Sequence, residues 1–181
     1  MTPFQLAIWM LLLGLPRHVT DLDEPYESRA GRLAVTAVAI ADVTDGDIAR
    51  AARVVALGDV ESHFARYVMN GRCQDGPKGS RCDPNHRGEA QSIGPWQQRR
   101  RACPAAWAAP MGSVEQLRAQ AKCADRLLRG AMRYCGKRAP SPEAASFAGY
   151  RSWDCAWRGG PKRAEVSLRY RARLSRLLGV Q

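Results

Sequence analysis

All six cysteines of this 181-residue chain, Cys73, Cys82, Cys103, Cys123, Cys135 and Cys155, lie in its second part, and the first 72 residues hold none. The set is even and contains no C-x-x-C pair, and His18, His63 and His86 are not spaced as partners to any of its members. A structural zinc site normally needs such close ligand pairs. No metal and no other cofactor is therefore expected, and disulfides are the better account. Pairing in sequence order joins Cys73 to Cys82 around a short Asp-Gly-Pro-Lys-Gly loop, Cys103 to Cys123, and Cys135 to Cys155. Bridges imply an oxidising, extracytoplasmic compartment. Buried reduced thiols of a cytosolic chain are the competing reading.

The length suits one domain with its own core. A content of 45% hydrophobic and 25% charged residues excludes a wholly disordered or collagen-like chain. No apolar run reaches the roughly 18 residues needed to cross a bilayer. The longest, Phe4 to Leu15, has the length of a signal peptide, but no Lys or Arg precedes it and no small-x-small site follows before Pro16. It reads equally as an export signal or anchor and as a core helix stopped by Gly14 and Pro16.

Charge is unevenly placed. The chain carries +11 overall, with residues 1–50 at −3 and residues 51–181 at +14. The basic part favours an anionic partner, whether nucleic acid, a membrane surface or an acidic wall polymer. No helix-turn-helix, zinc-finger or RNA-recognition signature accompanies it, so no specific nucleic-acid partner is expected.

The hydrophobic spacing predicts a mainly α fold, α+β at most, in one domain with long disulfide-stapled loops. Helices are expected over Glu27–Asp42, from Ile48 to about Phe64 with Asp47 as N-cap, and from Val114 to about Tyr134. Ser113 and Gln116 form a capping box for the last of these. A short helix over Glu143–Tyr150 and a basic amphipathic helix over Ala164–Leu178 follow. Residues 70–95 lack periodicity and are rich in Gly and Pro. A loop of that length usually carries function or needs staples.

In the second helix the spacing Val54, Leu57, Glu61 sets a carboxyl group on or beside the apolar stripe. Desolvation there favours the protonated form that a general acid needs. Three segments stand out chemically: Asp59-Val60-Glu61-Ser62-His63-Phe64, Glu89 to Gln97, and Ser146 to Arg151.

Taken in order, these segments resemble the soluble lytic transglycosylase and goose-type lysozyme group. That group has a Glu-Ser at a helix end, then a Gly-Leu-Met-Gln-like stretch, then an Ala-Tyr-Asn-like stretch. The matching pieces are Glu61-Ser62 with Phe64, Gly94-Pro95-Trp96-Gln97, and Ala148-Gly149-Tyr150-Arg151, covering roughly residues 47–155. The resemblance implies a lysozyme-like catalytic domain over 47–181, with residues 1–46 as an apolar segment and helix packed on it. It makes Glu61 the catalytic acid/base, Gln97 a lining residue of the sugar cleft, and Tyr150 a hydrogen-bonding neighbour of Glu61. Ser62 and Trp96 join them as substrate contacts, Trp96 as the cleft aromatic because it adjoins Gln97. Pro95-Trp96 in place of an aliphatic pair, the inserted Gly149 and Arg151 in place of Asn are departures, which bear on substrate detail more than on the acid.

The expected activity is cleavage of the MurNAc–GlcNAc β-1,4 bond of peptidoglycan by a monomer, as a lytic transglycosylase or a lysozyme-like muramidase. Its place would be secreted, periplasmic or virion-associated. A second carboxylate, if used, would be Asp75, Asp83 or Asp154; Asp59 points to another side of the helix. The competing readings are structural. Glu61 can be a helix residue paired with Arg66, and His63 a surface residue. Trp96, Trp107, Trp153 and Trp157 can be packing residues. The helix from Arg163 to Arg176 is either a solvated face or a dock for an anionic wall or membrane surface. A non-catalytic wall-binding or nucleic-acid-binding basic domain is the functional alternative.

Overall fold

The computed structural model describes residues 1–69, 91–152 and 154–180. Its elements run α1 (Pro3–Leu13), a 3-10 turn (Val19–Asp21), α2 (Tyr26–Thr44), α3 (Ile48–Ser62), α4 (Arg66–Met69), β1 (Ser92–Ile93), β2 (Gln98–Arg99), α5 (Pro104–Ala108), α6 (Val114–Cys135), α7 (Pro142–Ser152) and α8 (Gly159–Leu178). The chain is mainly α. Among the described residues its only sheet is an antiparallel hairpin in which Ser92 faces Arg99 and Ile93 faces Gln98. The bridges Cys103–Cys123 and Cys135–Cys155 are present as sequence order suggests, and Cys73 and Cys82 lie outside the described residues.

Helix α3 is the organising element. Every residue from Ala51 to Gly58 is buried, so it is enclosed on all sides rather than amphipathic. It packs on α2, α6 and α8, while α6 also meets α2, α5 and α7. Small residues let these helices approach closely: the Ala131 methyl lies against Gly149 where α6 meets α7. The apolar run at the amino terminus forms α1, which packs on α2 and α8 and buries Ile8, Leu11 and Leu12 in the same core as Ile40, Leu57, Leu128, Phe147 and Leu174. No described helix is long and apolar enough to cross a membrane.

The caps follow the sequence with one shift. Asp47 accepts from the Arg50 amide at 2.9 Å, starting α3, and Ser113 Oγ accepts from the Gln116 amide at 3.1 Å, starting α6. The expected capping box is not closed, because Gln116 Oε1 accepts from Gly112 N at 2.6 Å instead of from the cap residue itself. Gln116 is fully buried, and its Nε2 is drawn to the Ala106 carbonyl, which turns the amide away from a surface cap.

Both described bridges end on α6. Cys103, the N-cap of α5, is tied to mid-α6, and the end of α6 is tied to the α7–α8 connection through Cys155. The helix is thereby fixed to the two segments that flank the cleft described next. Two disulfides fit an oxidising environment.

Candidate functional site

No glycine closes the end of α3. His63 (φ 52°) and Phe64 (φ 50°) both take the left-handed conformation, which non-glycine residues adopt at a cost. Several contacts hold this turn. Ser62 Oγ donates to the Gly58 carbonyl at 3.1 Å and accepts from Phe64 N at 3.1 Å. The Phe64 ring lies directly on Gly58, where a Cβ would collide with it. Arg32 donates to the Phe64 carbonyl at 2.6 Å while its fork engages both carboxylate oxygens of Glu24, at 3.0 and 2.6 Å. Glu61, one residue before the end of this helix, therefore projects from a fixed platform.

The opposite side is the hairpin. Its loop, Gly94-Pro95-Trp96-Gln97, closes through Gln97 N to the Gly94 carbonyl at 3.0 Å. Gly94 (φ +65°) is the one residue type the turn accepts, since the left-handed backbone disfavours a side chain and the buried Gln120 amide already fills the space of a Cβ. Gln97 is itself left-handed (φ 48°), and its side chain is tied back by Ser92 Oγ at 2.9 Å and to the Gly94 carbonyl at 3.0 Å.

Between helix end and hairpin lies a cleft of about 790 Å³. Glu61 and Val60 from α3, Ser92, Gln97, Gln98 and Arg99 from the hairpin, Leu127 from α6, Tyr150 from α7 and Arg163 from α8 contribute to its lining. Three of the expected site residues, Glu61, Gln97 and Tyr150, thus meet in one cavity. The Tyr150 hydroxyl donates to the Trp96 carbonyl at 2.8 Å. Burial, and after it the neighbouring Glu61 carboxylate, pushes this phenol well above its ordinary value, so it remains a donor.

Two expected contacts are corrected. Trp96 is fully buried, its ring edge to face with Phe64 and its Nε1 donating to the Val54 carbonyl at 2.8 Å. The turn at Gly94 sends the indole into the core, so it cannot stack on a ligand. Ser62 is also buried, its hydroxyl spent on the helix stop, and it belongs to the platform rather than to the cleft surface.

The partner of Glu61 also differs from expectation. Arg66 pairs with Asp23 at 3.3 Å, whereas Glu61 Oε1 lies 2.8 Å from Nη1 of Arg163, with both side chains largely buried. Arg163 stacks over Trp157, 4.8 Å from the ring centroid. The pair is close but poorly aligned: Arg163 Nη1 and Gln98 Oε1, two buried atoms of the cleft lining, have no hydrogen-bond partner among the described residues. Nothing in the sequence spacing linked Arg163 to Glu61; only the packing of α8 on α3 does.

Of the remaining candidates, Asp59 accepts from the Tyr170 hydroxyl at 2.6 Å and so serves the α3–α8 contact, while His63 Nδ1 lies 3.2 Å from the same carboxylate and its ring stacks with His18. Asp154 accepts from Ala156 N at 3.1 Å and is not part of the cleft lining. Trp107 donates to the Gln98 carbonyl at 3.0 Å and buttresses the hairpin. Asp75, Asp83 and Trp153 lie outside the described residues. Among the described residues no cluster of His, Cys, Asp and Glu is arranged to hold a metal.

Fold and site together define a mainly α, disulfide-containing protein with a polar cleft between a helix end and a small hairpin. Compared with protein-family models, with curated proteins and with solved structures, the chain matches none.

Proposed function

We propose that this protein cleaves the MurNAc–GlcNAc β-1,4 bond of peptidoglycan, with Glu61 as general acid and then general base. The observation that carries the reading is the placement of Glu61 as the one carboxylate among the described cleft residues, opposite Gln97 and beside Tyr150. Breaking a glycosidic bond requires a proton on the leaving oxygen as positive charge develops on the sugar. Glu61 delivers it. The resulting carboxylate then takes the proton of the sugar's own 6-hydroxyl as that oxygen closes on the anomeric carbon, giving an anhydro product and returning Glu61 to its starting state. This route needs one carboxyl group, which agrees with the described lining. Peptidoglycan also suits the disulfides and the positive charge, and sets the protein in a secreted, periplasmic or virion-associated location. The basic face of α8 then docks to anionic wall or membrane polymers.

One observation favours a second reading, a cleft that binds glycan without cutting it. A carboxylate paired with Arg163 has no proton to give until that pair opens. Mass spectrometry of soluble products released from purified wall separates the two. The protein is expected to release anhydro-muropeptides and the Glu61→Gln variant none. Reducing-end products would replace transglycosylation by hydrolysis; no product from the unaltered protein, together with retained wall binding, would establish the second reading.

A further inference from the structure

We propose that Arg163 is the carboxylate-recognition residue of the cleft, pairing with Glu61 while the cleft is empty and passing to a carboxylate of an acidic glycan when it fills. The inference rests on the glycan-cleaving reading for the nature of the ligand and names the feature of that ligand the cleft selects.

The charge of the lining is the first argument. Among its described residues Arg99 and Arg163 are basic and Glu61 alone is acidic; the other polar members, Ser92, Gln97, Gln98 and Tyr150, are neutral. Once Glu61 takes up a proton to act as an acid, the largely buried Arg163 guanidinium loses the carboxylate it pairs with in the empty cleft. A neutral chitin-type oligosaccharide would leave that charge uncompensated in a partly dehydrated site, where charge is expensive to strand. A carboxylate on the ligand compensates it.

The geometry of the pair is the second. Arg163 approaches Glu61 to 2.8 Å, yet its Nη1 hydrogens are not directed at any acceptor. The pair has the Coulombic attraction of contact without the directional bonds that make a guanidinium–carboxylate fork strong. Exchange for a ligand carboxylate that meets the fork squarely is therefore favourable. Stacking on Trp157 holds the guanidinium plane, and Arg163 lines the cavity that a new partner would enter. The exchange frees the Glu61 carboxyl at the moment substrate arrives, so recognition of an acidic glycan and readiness of the acid are one event.

Two sources supply such a carboxylate in peptidoglycan: the free lactyl acid of a muramyl unit without peptide, and the acids of a stem peptide. Hydrolysis-resistant, sulfur-linked tetrasaccharides distinguish them when prepared with a free lactyl acid, with its methyl ester, and with a stem peptide. Calorimetric titration of the full-length protein is expected to show one acidic form binding about tenfold tighter than the ester, the size a charge-assisted bond supplies. Whichever acidic form wins identifies the source. Arg163→Met is expected to erase the difference and Arg163→Lys to keep part of it. Equal binding of ester and both acids by the unaltered protein would overturn this inference alone, and that comparison requires no variant to fold. A preference undiminished in Arg163→Met would also overturn it. Failure of all three ligands to bind would overturn the inference together with the glycan reading.

Discussion

Tyr150 on α7 holds the hairpin loop by its main chain: the phenol hydroxyl donates to the Trp96 carbonyl at 2.8 Å, directly behind the indole that fills the core. One residue thus joins the cleft lining to the packing beneath it. Replacing Tyr150 by Phe keeps the ring and removes the donor, leaving a buried carbonyl short of a partner. The variant is expected to lose about 1–2 kcal/mol of stability, the usual cost of such an orphan. Urea denaturation of the two proteins measures it; an unchanged midpoint would show that this bond does not tie the hairpin down.

Two phenols make the fold sensitive to base. Burial and the Glu61 carboxylate raise Tyr150, while burial and the hydrogen bond to Asp59 raise Tyr170. Each therefore keeps its proton in the folded state at a pH where the unfolded chain, with phenols titrating near 10, has begun to lose it. The unfolded state then binds fewer protons, so stability is full below about pH 9 and falls as pH rises through and above 10. The double variant Tyr150→Phe/Tyr170→Phe is expected to start less stable and to decline less steeply. Melting temperatures between pH 8 and 11 test this, and identical slopes would refute it.

The helical frame is legible in the sequence because it depends on local patterns. Asp47 and Ser113 mark helix starts by their own chemistry, and the order of the cysteines foreshadows both described bridges. The cleft is legible only in outline. Glu61, Gln97 and Tyr150 come together, but Trp96 adjoins Gln97 in sequence and points the other way, because the turn at Gly94 decides the direction of each side chain and a sequence does not display that turn. Ser62 looks like a site residue because it follows Glu61, and its hydroxyl is consumed by the helix end. Arg163 is the largest omission. Its link to Glu61 depends on how α8 crosses α3, a property of the assembled core rather than of any local spacing. The two-residue strands are likewise too short to leave a period-two pattern.

The hairpin turn gives a sharper test than its strands. Gly94→Ala adds a methyl group at a left-handed position, where the end of the fully buried Gln120 side chain has to shift to make room for it. The backbone strain alone is about 1–3 kcal/mol. The expected result is a destabilised protein with reduced ligand binding, since Gln97 is positioned by the same turn. Thermal melting and titration with glycan fragments read the two effects. Full stability in the variant would show that Gln120 repacks and that the turn tolerates a side chain.

The bridges set the last expectation. Each described disulfide closes a separation of 20 residues and ends on α6. A loop of that size restricts the unfolded chain by roughly 3 kcal/mol in the chain-entropy account. The two are not expected to act alike on the cleft. Cys103–Cys123 anchors the segment that follows the hairpin, next to the lining residues Arg99 and Ala102, whereas Cys135–Cys155 holds the α7–α8 connection that leads to Trp157 and Arg163. Cys135→Ser/Cys155→Ser should therefore lower the melting temperature and also weaken discrimination between acidic and esterified glycans. Cys103→Ser/Cys123→Ser should lower the melting temperature with binding of both ligands reduced alike. Melting with and without reductant, followed by paired titrations at a temperature where each variant is folded, distinguishes these outcomes. Equal effects on the two ligands in both variants would show that the α7–α8 tether does not position Arg163.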